Sequence, residues 1–438
     1  MQNANTLIDK ALAAATDTKS FIVGPGALER LPELFAKNFS GRAAVIADPE
    51  TFNAAGRRAM ELLTAAGTAT ADPLILPHHP HADDKGVAIV RRFIESEDVI
   101  PVAAGSGTVN DLCKRASEET SRPYCSVATA ASVDGYASFG AALRVRGFKQ
   151  TLPCAAPRLI IADTEILSSA PFEMTASGYA DLMAKIPAGA DWIMADAVGA
   201  DPILPNIWEM TQTPLRGWLA DPEALAGGSP DRMSALFEGL ALTGFAMQAT
   251  HSSRPASGAE HLFSHIWEMG GVTAPDGSEP SHGCKVGIGT ICSTRMMERV
   301  FSKPFTSVDA AKAAAAYPDW SVREKQIYER FGGSPALDRI LSECRAKHLS
   351  RDGIRGRLDV LAEEWEDLTA KVFAQIIPSD EIIRILRTVG CPAEPEEIGV
   401  PAALVADAAA AAQLIRSRYT ILDLAFETGR FEDAAKWD

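Results

Sequence analysis

Long apolar runs are missing from this chain of 438 residues: no stretch of 18 or more apolar residues occurs, so it offers no candidate for a membrane-spanning helix. The N-terminal MQNANTLIDKALAAATDTKS has no basic segment followed by an apolar one and does not read as a secretory leader. Basic residues are also scarce, 42 against 57 acids, for a formal net charge of −15. A surface of that sign repels phosphate backbones and anionic lipid heads, which argues against nucleic-acid partners and membrane insertion. The seven cysteines are scattered, odd in number and without a CxxC pair. They exclude a disulfide framework or a thiolate zinc site and point to reduced thiols in a cytoplasmic protein. Histidine is as scarce, with eight residues, so two of them at a meaningful spacing carry weight.

What is present is an order of patterns. In the first part of the chain short apolar runs alternate with helical patterns, which predicts a parallel sheet with helices packed on it. Strands are expected at residues 43–47 (AAVIA), within 98–105 (DVIPVAAG), at 125–129 (CSVAT) and at 158–162 (RLIIA). Beyond about Ser168 the patterning is helical, through SSAPFEMTASGYADLMAKI, MSALFEGLALTGFAMQA and GAEHLFSHIWEM to the alanine-biased stretches AAKAAAA and ADAAAAAQLI. No repeat of 20 to 50 residues occurs. Length calls for two large domains, and the change from α/β to all-helical falls between residues 165 and 175.

Three features of the α/β part bear on a ligand. Between the second and third strands, Gly105-Ser106-Gly107-Thr108 runs into a helix opened by Asn110 and Asp111. A glycine-rich strand-to-helix turn offers backbone N–H groups and a positive helix end to a pyrophosphate; the same pattern fits a turn in which glycine serves only the bend. The third glycine of the ordinary dinucleotide fingerprint is missing, and the best-placed acid, Asp48, precedes the loop instead of coming after it. Asp48 therefore suits either a ribose contact in a different dinucleotide fold or a helix cap. TAASVDGYAS, residues 129–138, comes directly after a strand, and its small residues allow close approach of a ligand, with Asp134-Gly135 marking a turn.

The helical part supplies metal-binding side chains. His261 and His265 are four residues apart, and at about 100° per residue they fall within about 40° on one helix face. The same spacing aligns Asp181 with Lys185, and His282 lies in SHGCKVGIGT, where Gly283, Gly287 and Gly289 suggest a tight start to a helix. One carboxylate and two imidazoles make a three-ligand site with an open position, the arrangement of catalytic zinc. Two histidines at this spacing also occur as partly buried polar residues without metal. The cluster PHHPH, with His78, His79 and His81, sits in a proline-broken loop and suits at most adventitious surface binding.

Taken in order, Asp48, GSGTVND, TAASVDGYAS, GYADLMAK, HLFSH and SHGCKVGIG resemble the dehydroquinate synthase-like and iron-type alcohol dehydrogenase superfamily over roughly residues 20–300, and within it the sn-glycerol-1-phosphate dehydrogenase family. The resemblance implies an N-terminal NAD(P)-binding α/β domain, residues 1–168, and an all-α metal-binding and substrate domain, residues 169–438, with the active site in a cleft between them. It puts the metal ligands on Asp181, His261 and His282, with zinc first and nickel or iron as alternatives. Cofactor contacts fall on Asp48, Gly107, Thr108, Val109, Asn110, Asp111, Thr129, Ala130, Ala131, Ser132 and Ser138. Asp134 lies between cofactor and substrate, and His265 touches substrate or moves a proton. The implied reaction interconverts dihydroxyacetone phosphate and sn-glycerol 1-phosphate with NAD or NADP; Asp48 favours NAD, whereas Arg57 and Arg58 could blunt that preference. Lys185 and Lys285 are candidates for the cation facing the substrate phosphate. The alternatives are a glycerol or polyol dehydrogenase and a sugar-phosphate cyclase. A closed homo-oligomer is expected on base rates, and no functional residue is carried over beyond residue 300.

Overall fold

A computed structural model of the protein describes residues 2–145 and 148–437. The chain forms two compact units, each from two stretches: Met1–Leu182 with Glu209–Ser253, and Met183–Trp208 with Arg254–Asp438.

The first unit is built on a parallel sheet of β1 (Ser20–Gly24), β2 (Arg42–Ala47), β3 (Leu74–Ile75), β4 (Val99–Gly105), β5 (Cys125–Ala128) and β8 (Leu159–Asp163). Their order is β1-β8-β5-β4-β2-β3, and a separate antiparallel hairpin pairs β6 (Ala141–Val145) with β7 (Phe148–Leu152). The four expected strands are β2, β4, β5 and β8. β4, β5 and β8 are buried at every residue, because both faces of this sheet are covered. Val102 and Ala104 pack with Leu31, Phe35 and Leu63 on one side, while Ala103 packs with Val90, Ile94 and Leu112 on the other. Such strands read as unbroken apolar runs. The strands not expected carry weaker signals: β1 is an edge strand with one buried residue, and β3 has two residues.

Five helices position the candidate side chains and their supports: α1 (Gly107–Glu119), α2 (Phe172–Met183) and α3 (Pro230–Thr250) in the first unit, and α4 (Ala259–Gly270) and α5 (His282–Phe301) in the second. Although the strands end at Asp163, α3 packs back on β1 and on the turn at Asp134–Tyr136. The compact units therefore interleave along the chain, whereas the sequence pattern places one cut between residues 168 and 169. Contacts across such sequence distances leave no local pattern.

The second unit is built of helices and has no strand among its described residues. In it α4 lies against α5, and Gly289 is the reason they can approach: a Cβ there would sit 2.3 Å from the carbonyl oxygen of Glu260. Gly289 lies well inside α5, so it serves helix packing and not the tight helix start expected of it. The start of α5 is capped instead by Ser281, whose hydroxyl accepts the Cys284 N–H at 3.1 Å. No helix among the described residues is long and apolar enough to cross a membrane.

A similar close approach holds residues 129–132 against α2. A Cβ at Gly178 would lie 1.9 Å from the carbonyl oxygen of Ala131, a backbone atom that cannot swing away. Gly178→Ala is expected to destabilise the protein by about 3 kcal/mol or more, the upper range for overpacking, measured as a lower denaturant midpoint. An unchanged midpoint would show that this contact relaxes freely.

Candidate functional site

The strand ends of the first unit bring three of the expected segments to one edge of the sheet. Ile46 of β2 pairs with Ala103 of β4, and Gly105 of β4 with Ala128 of β5. Asp48, residues 105–108 and residues 129–132 therefore leave neighbouring strands side by side. The chain also changes direction here, since β2 is followed outward by β3 while β4 is followed by β5 on the other side. In open α/β sheets ligands bind beyond the strand ends at such a reversal.

Each segment contributes differently. The N–H groups of Gly107, Thr108 and Val109 precede the first bond of α1, from Asn110 N–H to the Ser106 carbonyl, and donors in that position suit phosphate. The side chains further on turn inward. Val109 belongs to the core, the Asn110 amide oxygen accepts from the Tyr124 hydroxyl at 3.2 Å, and Asp111 accepts the Ala142 N–H at 3.3 Å. Asp48 is buried and caps the turn Pro49–Thr51, accepting the Thr51 N–H at 2.8 Å while its own N–H donates to the Thr51 hydroxyl. The cap reading of Asp48 is thus realised, with one carboxylate oxygen engaged in it. Arg58 pairs with Glu29 at 2.8 Å, and Arg57 lies over the Phe52 ring and donates to Asn53.

Thr129, Ala130, Ala131 and Ser132 are all buried. The carbonyls of Ala130 and Ser132 accept from the Tyr136 and Ser177 hydroxyls. Beyond them the loop is held by a residue that the sequence did not single out. Lys114 on α1 is fully buried, and its ammonium donates to the carbonyls of Gly135, Ser138 and Gly140 at 2.7, 2.9 and 3.1 Å. Within that loop the Ser138 hydroxyl donates to the Gly135 carbonyl. Asp134 uses its main chain: its N–H donates to Oδ2 of Asp181 at 3.0 Å, and Asp181, on α2, is fully buried.

In the second unit His261 and His265 share α4, and His282 opens α5. The rings of His261 and His282 are 5.5 Å apart between centroids. Each histidine faces a carboxylate through Nδ1: His261 to Glu260 at 2.8 Å, His282 to Glu268 at 2.9 Å, and His265 to Glu268 at a longer 3.5 Å. Burial, with Arg416 and His261 adding positive charge nearby, lowers the His265 pKa to about 4 against the opposing pull of Glu268. Glu260 and Glu268 are not among the residues expected from the sequence. Their signal there is an acid within one helical turn of a histidine, the usual outer partner of a metal-binding imidazole.

The second unit thus brings His261 and His282 together, while Asp181, the expected carboxylate, belongs to the first unit. Lys285 is buried with its ammonium 3.8 Å from Glu268 and 3.7 Å from Glu279. Lys185 is buried, and Ala184 separates its helix from the one that carries Asp181, so the two do not share an unbroken helix. His78 is exposed and pairs with Glu50 at 2.7 Å.

The family model for iron-containing alcohol dehydrogenases matches residues 22–171. The glycerol-1-phosphate dehydrogenase [NAD(P)+] of Geobacillus thermodenitrificans is 30% identical over 389 residues, covering 87% of this chain and 85% of that protein. The enzyme of the same name from Methanosarcina mazei is 31% identical over 274 residues, covering 62% of this chain and 75% of its own length. Among solved structures, NADH-dependent butanol dehydrogenase A of Thermotoga maritima superposes with a TM-score of 0.59 at 15% identity, over 96% of this chain and 98% of that one. Glycerol dehydrogenase of Schizosaccharomyces pombe gives 0.58 at 15% identity, over 96% and 90%. At such identities the structural likeness speaks for the fold.

Behind the histidines a buried carboxyl makes stability depend on pH. Asp191 accepts the N–H groups of Ala259 and Ile421 at 2.6 and 2.7 Å, and burial, then the neighbouring Glu260, raises its pKa from 3.8 to about 8. Between those values the unfolded chain has released the proton and the folded chain keeps it, so this contribution to stability is full below the lower value and is lost as pH rises toward the upper one. Relative to Asp191→Asn, the wild type is expected to lose about 1.4 kcal/mol per pH unit between pH 5 and 7 in denaturant titrations. A constant difference would mean that Asp191 ionises normally.

Proposed function

Because the chain belongs to the glycerol-1-phosphate dehydrogenase family of the iron-containing alcohol dehydrogenases, we propose that it interconverts dihydroxyacetone phosphate and sn-glycerol 1-phosphate, using NAD(P)H and one divalent metal ion. The observation that carries this reading is the pairing of the His261 and His282 rings, 5.5 Å apart between centroids, each with a carboxylate at its Nδ1; Asp181 is proposed as the third ligand. The donor set fits a divalent ion: one carboxylate and two imidazoles whose Nδ1 atoms face Glu260 and Glu268, which leaves Nε2 of each ring for the metal. Such donors suit zinc, nickel or iron, and zinc is the choice proposed here. When bound, the ion supplies Lewis acidity at the C2 carbonyl and the nicotinamide supplies the hydride.

The chain's own residues do the rest. The N–H groups opening α1, at Gly107, Thr108 and Val109, hold the pyrophosphate, and Asn110 and Asp111 brace that turn from inside. Residues 129–132 and Ser138 form the wall along the cofactor. Asp48 takes the ribose hydroxyls with its remaining oxygen. That carboxylate repels a 2′-phosphate, and Arg57 and Arg58 are engaged elsewhere, so NAD is the preferred form. Asp134 fixes the Asp181 carboxylate through its N–H and stands between cofactor and substrate. His265 is neutral at working pH, and in the oxidative direction its Nε2 accepts the proton of the substrate hydroxyl; in reduction it returns it. The reading carries with it a cytoplasmic setting and a closed homo-oligomer.

Purified protein should oxidise NADH with dihydroxyacetone phosphate and far less with dihydroxyacetone, and a chelator should abolish turnover until zinc or nickel is restored. Preference for the unphosphorylated ketone would instead indicate a polyol dehydrogenase; phosphate release without net NADH change would indicate a cyclase. His261→Ala should lose both metal and turnover. His265→Ala should keep its metal and lose roughly 100-fold or more in kcat, and a metal-free His265→Ala protein would exchange the roles of the two histidines.

A further inference from the structure

We propose that Glu268 is a positioning residue shared by two histidines, a single carboxylate that sets ring orientation and tautomer for both His282 and His265. The second arm of its test rests on the metal reading above; the first does not.

Glu268 lies one turn after His265 on α4, and its side chain is 4% exposed. One oxygen lies 2.9 Å from Nδ1 of His282 and the other 3.5 Å from Nδ1 of His265. An ionised carboxylate only accepts hydrogen bonds, so an imidazole nitrogen facing it carries the proton. Both rings are thereby held as Nδ1–H tautomers, with the Nε2 lone pair directed away from Glu268 and free of its proton. That is the form a metal-binding imidazole needs at His282 and a proton acceptor needs at His265. The two demands fall on different helices, and one side chain meets both.

Burying that carboxylate requires positive charge nearby. Lys285, one turn after His282 on α5, lies 3.8 Å from the Glu268 oxygen that faces His282. This gives Lys285 a use other than the substrate phosphate, as counter-charge to the shared carboxylate. The Nδ1 of His261 has a different partner, Glu260, whose same oxygen takes the Gly258 N–H at 2.6 Å. A change at Glu268 therefore acts on the Nδ1 contacts of two rings and leaves the His261–Glu260 contact in place.

The first arm of the test is nitrogen NMR of histidine-labelled, metal-free protein, which reads tautomers without activity or metal. His265 and His282 should both be Nδ1–H in the wild type. Glu268→Gln, whose amide donates as readily as it accepts, should give a mixture at both rings and leave His261 unchanged, while Glu268→Asp should restore the tautomer at His282. In the second arm, Glu268→Gln should bind zinc about 10- to 100-fold more weakly and lower kcat more than it changes KM. An Nε2–H tautomer at His265 or His282 in the wild type overturns the proposal, whether or not any variant folds. Wild-type tautomers and zinc affinity in Glu268→Gln overturn it as well. A wild type with the expected tautomers that binds no divalent metal would remove the metal reading and leave the shared carboxylate standing.

Discussion

The separation of α4 and α5 is the constraint on which the histidines depend. Two helices meet here with the backbone of one against a position on the other that has no side chain, since a Cβ at Gly289 would lie 2.3 Å from the Glu260 carbonyl. That contact brings the His261 and His282 rings to 5.5 Å. It also lets a carboxylate on α4 reach a ring on α5, as Glu268 does at 2.9 Å. A larger residue at position 289 would part the helices, and both relations would loosen together.

The first unit uses the same economy of side chains. Gly178 lets α2 approach the carbonyl of Ala131, so the loop after β5 is backed by the helix that carries Asp181. Lys114 ties three carbonyls of the next turn to α1, and that turn gives Asp181 a main-chain donor from Asp134. The nucleotide-type strand ends and the buried carboxylate are thus linked through short contacts inside one unit. Family membership points to NAD(P)-dependent redox chemistry with a divalent metal, and these contacts hold the residues proposed for it.

Much of this is legible in the sequence, and the exceptions have physical reasons. β2, β4, β5 and β8 show themselves because a parallel sheet covered on both faces leaves apolar runs, while β1, at an edge and half-buried, does not. Asp181, His261 and His282 stand out as candidates only in combination, through the order of motifs; each alone is an ordinary helical residue. Glu260, Glu268 and Lys114 stay hidden because a charged residue on a helix reads as solvated unless its partner is known, and the partners that Glu268 and Lys114 find on other elements sit 14 and more residues away. Lys285 is conspicuous in the sequence for its neighbourhood alone, since its carboxylate partners come from residues 268 and 279. The interleaving of the two units is invisible for the same reason: α3 returns to β1 across more than 200 residues.

The most direct measurement is X-ray absorption at the zinc edge of zinc-loaded protein, compared with the same protein carrying His282→Ala. One ion per chain, with two imidazole nitrogens and oxygen donors in the wild type and one imidazole fewer in the variant, is the predicted result. A sulfur ligand, or a shell unchanged by His282→Ala, would contradict a centre built from Asp181, His261 and His282.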